Sequence, residues 1–125
     1  MEETTLYERV GGQPFFDELV EYFYVGVEQE ELIRPMYPED LTESKQWLAL
    51  FLAQYYGGPA TYGELRGHPR LRMRHAPFRI TKKARDAWLR AMTFALEQVA
   101  DQLNDEDLFE LNAYFEMAAK SLRNV

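Results

Sequence analysis

Apolar residues recur three and four positions apart through every long segment of the chain, and the interruptions fall at glycine and proline. Thr5-Leu6-Tyr7-Glu8 has the form of a capping box, with the threonine oxygen taking a backbone N–H and the glutamate reaching back. Gly11-Gly12 ends that short first helix, and Pro14 suits the first position of the next. Phe15, Phe16, Leu19, Val20, Phe23, Tyr24 and Val27 then make a wide apolar stripe. Pro35 and Pro38 bracket a turn that no helix crosses. Thr42 is the expected cap of a third helix, with Leu41, Leu48, Phe51, Leu52, Tyr55, Tyr56 and the stem of Lys45 on its stripe; Gly57-Gly58-Pro59 stops it. From Ala60 to Pro77 periodicity is weak, and the expectation is a loop carrying one short helix that ends near His75. Thr81 caps a long helix reaching about Gln102, with Ala84, Trp88, Ala91, Met92, Ala95, Leu96 and Val99 inward. Asn104 caps a last helix with the stripe Leu108, Leu111, Phe115, Ala118 and Leu122. The pattern predicts an all-α fold of five or six helices of unequal length.

The connection between the third and fourth long helices is unusually long for a helix–helix link. It carries Tyr62, Leu65, Leu71, Met73 and Phe78, which a disordered linker would not, so it is expected to wrap something. A chain of 125 residues supports one core, hence one domain over residues 1–125. No apolar run reaches the ~18 residues of a membrane span, and the start is acidic where a leader would be basic. The absence of cysteine excludes disulfides, thiol chemistry and thiolate-held metal or haem, and fits a cytoplasmic protein. A net charge of −7 argues against nucleic-acid binding. Arg66, Arg70, Arg72, Arg74, Arg79, Lys82, Lys83 and Arg85 nevertheless gather in one stretch without a single Asp or Glu, so an anion is expected against that face.

His75 lies in that stretch. An imidazole binds transition metals or haem iron near neutral pH through a free ring nitrogen. Here it has arginines to meet an anion and apolar neighbours to cover a flat surface, the three things a haem needs. A surface or core histidine remains the alternative. His68, seven residues earlier and followed by Pro69, stands at a turn; this spacing does not match a zinc pair. Tyr24, Tyr37 and Trp88 bring polar tips to apolar faces, and those donors find either backbone partners or a polar ligand. No phosphate-binding loop and no nucleophile with its base is present.

The chain resembles the group II truncated haemoglobins, bacterial globins with a two-over-two helical sandwich around a haem. The resemblance rests on Gly11-Gly12, Phe23-Tyr24, Met36-Tyr37-Pro38-Glu39, Gln54-Tyr55-Tyr56-Gly57-Gly58-Pro59, the run from Gly67 to Phe78, and Arg85-Asp86-Ala87-Trp88. It implies haem b, with His75 as the proximal iron ligand. Tyr24, Tyr37 and Trp88 correspond to the distal groups that hold O2. Ser44 falls where most globins place a distal histidine, and Leu48 would lie over the ligand. Tyr62, Arg72 and His68 would border the propionates, and Met73, Phe78, Tyr55 and Met92 would wall the haem. Two departures stand out: Trp47 occupies a position where relatives often carry arginine, and Tyr56 one where tryptophan is frequent.

The resemblance implies binding of O2 and other diatomics such as CO and NO with slow O2 release. It extends to redox chemistry, NO dioxygenation or peroxide reduction, fed by a reductase or small-molecule reductant. A haem-based sensor acting through a protein partner is the second reading, and a haem-free nucleic-acid-binding module the third. The expected state is a monomer or weak homo-oligomer, with no membrane partner.

Overall fold

Hydrogen bonds from short polar side chains fix where the helices begin. Thr5 Oγ1 accepts from Glu8 N at 3.1 Å, Thr81 Oγ1 from Ala84 N at 3.2 Å, and Asn104 Oδ1 from Asp107 N at 2.7 Å. The capping box closes differently from expectation: the Glu8 carboxylate accepts from the Thr5 hydroxyl, 3.3 Å away. The third helix also differs, because its cap is not Thr42. Asp40 accepts from both Thr42 N (3.0 Å) and Thr42 Oγ1 (2.7 Å), a carboxylate being the stronger acceptor.

The computed structural model describes residues 4–125. Its helices are α1 (Leu6–Arg9), α2 (Gln13–Glu28), α3 (Thr42–Tyr55), α4 (Thr61–Arg66), α5 (Leu71–His75), α6 (Lys82–Val99) and α7 (Asp105–Leu122). Short 3-10 turns occupy Arg34–Met36 and Ala100–Gln102. No strand occurs among the described residues. The long link therefore holds two short helices, not one, because Gln54 Oε1 accepts from Gly63 N at 2.8 Å and ties α4 to the end of α3.

The seven stripe residues of α2 are all buried. They meet α3 on one side and α6 on the other, while α6 also packs against α7. The α2–α6 crossing is close at Gly26, where a Cβ would lie 2.8 Å from Ala91 Cα. Any larger residue at either point would push the helices apart. The stripe of α3 divides into two faces: Ala49, Leu52 and Ala53 are buried, whereas Leu48 and Phe51 are half-buried beside a cavity. Gly57, at φ +101°, brings the chain against α1, where a Cβ would meet the Thr5 side chain at 2.5 Å. Arg9 then grips the buried carboxylate of Asp107 with two nitrogens, at 3.1 and 2.8 Å, which docks α1 on the start of α7.

Tyr56 is the odd residue of this core. Its ring stacks on Phe16 at 6.1 Å, yet its hydroxyl is buried without a hydrogen-bond partner. Burial pushes the phenol above its ordinary value. An unsatisfied buried hydroxyl costs roughly 1–3 kcal/mol. Tyr56→Phe is accordingly expected to raise unfolding free energy by about 1 kcal/mol; denaturant unfolding measures it, and a loss would mean the hydroxyl has a partner.

Candidate functional site

Six helices converge on one recess: α2, α3 with the turn before it, α4, α5, α6 and the end of α7. The recess has two lobes of about 420 and 540 Å³, in the range of small-molecule sites. His75, Tyr37, Ser44, Trp88, Arg66 and Arg74 line both.

The local sequence sets the state of His75. Leu71 and His75 are four apart in α5, so they share a face, and His75 Nδ1 lies 2.6 Å from the Leu71 carbonyl. A carbonyl only accepts, so Nδ1 carries the proton and Nε2 keeps its lone pair. That is the arrangement in which a histidine serves as a metal ligand with a fixed ring orientation.

Hydrogen bonds hold α5 at both ends. Before it, Arg70 adopts the left-handed backbone (φ +49°), and its N–H donates to His68 Nδ1 at 3.0 Å. Arg74 Nε donates to Pro69 O at 2.8 Å. After it, Asn124 clamps the chain: its Oδ1 accepts from Ile80 N, its Nδ2 donates to Phe78 O, and its own N–H donates to Ile80 O, all at 2.9 Å.

The phenols and the indole line the same recess from α2, the turn before α3 and α6. Tyr24 is buried on α2, and Tyr37 meets it edge-on at 5.5 Å. Burial pushes Tyr24 well above the usual phenol range; the nearby Tyr37 adds to this, and the Ser44 side chain opposes it. Burial likewise pushes Tyr37 up to about 12, opposed by the neighbouring Trp88 side chain. Both phenols are therefore neutral donors at ordinary pH.

The family model for bacterial-like globins matches residues 5–121. The chain belongs to the bacterial-like globin family. It is 45% identical over 93 residues to the group 2 truncated hemoglobin YjbI of Bacillus subtilis (strain 168), covering 74% of this chain and 70% of that one. Among solved structures, a thermostable hemoglobin from Thermobifida fusca superposes with a TM-score of 0.93 at 47% identity, covering 98% of each chain. The truncated oxygen-avid haemoglobin from Bacillus subtilis gives 0.89 at 40% identity, covering 97% of this chain and 100% of that one. The expected truncated-globin fold is thereby established.

Membership in this family implies a haem, and the donor set of this globin fits one. An imidazole with a free nitrogen lines the recess, neutral donors stand on another wall, and guanidinium groups line both lobes. Among the other expected site residues, Leu48 and Tyr62 line one lobe and Phe78 the other.

Five expected positions lie outside both lobes. Arg72 and Met73 are on the face of α5 opposite Leu71, Arg74 and His75, and Met73 is 59% exposed. His68 is exposed and serves the turn at Arg70. Tyr55 is 53% exposed and lies against Tyr114, ring centroids 4.3 Å apart, without itself lining the recess. Met92 sits one turn beyond Trp88, deep in the helical core. A five-residue helix was too short for its face to be read from periodicity. Arg66, Arg74, Tyr114 and Asn124 were missed as contributors, and no local spacing singles them out.

Tyr24, Tyr37, Tyr56 and Tyr114 all have phenols raised by burial. An unfolded tyrosine ionises near pH ~10 while these stay protonated in the fold. Above that pH the unfolded state binds fewer protons than the native state, so stability falls with rising pH. For Tyr37 the fall runs from about 10 to about 12. The expectation is a steep loss of urea stability across that window, shallower in a Tyr24→Phe/Tyr37→Phe protein; equal slopes would contradict the assignment.

Proposed function

We propose that this globin binds O2 and other diatomic gases on a haem b held by His75, releases O2 slowly, and uses it in redox chemistry. A bound haem supplies an iron centre for gas binding and one-electron transfer. The observation that carries the reading is the His75 tautomer: Nδ1–H is tied to Leu71 O, so Nε2 is the nitrogen free for iron. The residues of the facing wall do the rest. Trp88 and the phenols of Tyr37 and Tyr24 offer donors to a ligand that gains partial negative charge. Leu48 and Phe23 add apolar lining on that side, and a lower local dielectric strengthens such bonds.

Each donor contributes on the order of 1 kcal/mol, more toward a charged acceptor, so two slow ligand escape by tens to hundreds of fold. Similarity to a haemoglobin described as oxygen-avid supports this reading. Slow release suits consumption of O2 better than its delivery. Nitric oxide and O2 give nitrate with uptake of one electron, and peroxide takes two electrons and two protons to give two waters. Either needs a reductase or small-molecule reductant.

Trp88→Phe removes one donor with little change in shape. The O2 dissociation rate, read by CO displacement, is expected to rise about tenfold; an unchanged rate would remove Trp88 from the role. Rapid mixing of the O2-loaded protein with nitric oxide should yield stoichiometric nitrate, and no nitrate would leave gas binding without the dioxygenase activity.

A further inference from the structure

We infer that Arg66, seated on Trp47, is the principal cation for the carboxylate edge of the haem in this chain. The inference rests on reading the recess as a haem site.

Arg66 ends α4, and its guanidinium carbon lies 4.7 Å from the Trp47 ring centroid and 5.9 Å from that of Tyr62. The two rings meet edge-on at 6.0 Å and 86°, forming a corner that fixes the arginine. Cation–π contact on this scale is worth roughly 0.5–1 kcal/mol at exposed sites and more when desolvated, and it leaves the edge of the guanidinium plane unused. Among the described residues Arg66 joins no ion pair, and its side chain donates no hydrogen bond to protein. An arginine held on an aromatic corner at a recess, with its donors free, is preorganised for a planar carboxylate.

The surrounding charges favour Arg66 over its neighbours. Arg85 is committed to Asp86 at 3.0 Å, and Arg74 spends its Nε on Pro69 O. Asp40 and Glu43 border the same lobe as Trp47 and Tyr62, whereas the other lobe, which Arg66 also lines, has no acidic lining residue. Trp47 brings no charge and acts as a positioning residue through Arg66. Arg72, expected for this task from sequence, lies outside both lobes.

The test compares haem b with its dimethyl ester, whose carboxylates are neutral, by following transfer from the reconstituted protein to apomyoglobin. In the unaltered protein the ester is expected to leave about tenfold faster or more. Arg66→Gln should speed loss of haem b about tenfold while shrinking the ester effect to about threefold or less, the remainder reflecting Arg74. Arg66→Lys should fall between, and Trp47→Leu should shift both rates in the same direction as Arg66→Gln while Trp47→Phe stays near the unaltered protein. Arg72→Gln should change neither rate. An ester effect in Arg66→Gln equal to that of the unaltered protein overturns the assignment to Arg66, including when both compounds leave faster because the fold is weakened. Failure of the unaltered protein to take up haem b at all overturns the haem reading instead.

Discussion

A five-residue helix makes too few hydrogen bonds to hold its own shape, so the position of His75 depends on what grips α5 from outside. On one side the turn through His68, Pro69 and Arg70 fixes where the helix begins. On the other, Asn124 uses its amide like a short strand, pairing with the chain at Phe78 and Ile80. With both ends fixed, the Leu71 carbonyl meets His75 Nδ1 and determines which ring nitrogen is free. The donor side is built differently. Tyr24 and Trp88 come from long helices whose separation is set by the contact of Gly26 with Ala91. Donors carried mainly by long helices thus share the recess with a ligand segment held by a few hydrogen bonds.

Much of this was legible in the sequence, because long amphipathic helices advertise their buried faces. Every stripe residue read on α2 is buried, and the caps at Thr81 and Asn104 form as the side-chain chemistry requires. The segment between α3 and α6 was not legible in the same way. Its helices are one or two turns long, so the inward set Leu71, Arg74 and His75 cannot be separated from the outward Arg72 and Met73 by periodicity. Asn124 was invisible for a different reason: its partners lie more than forty positions away, and no local pattern encodes such a bond. Thr42 is the first residue of α3 and not its cap: Leu41 stands at the cap position, and Asp40 accepts from the Thr42 N–H and hydroxyl.

The acidic balance of the chain also resolves once the fold is known. Arg9, Arg34, Lys45, Arg85 and Arg90 each meet a carboxylate, so much of the positive charge is consumed in fixing the scaffold. The aromatic residues divide similarly. Phe15, Phe16 and Phe23 fill the core, while Tyr37 and Trp88 are only partly buried because they border the recess.

The account centres on one atom, His75 Nε2. Its most direct test is His75→Gly reconstituted with haem b and read by absorption in the ferrous state. The predicted result is loss of the stable five-coordinate spectrum and its return when imidazole is added to fill the missing side chain. A ferrous spectrum identical to that of the unaltered protein, with no imidazole present, would contradict the account.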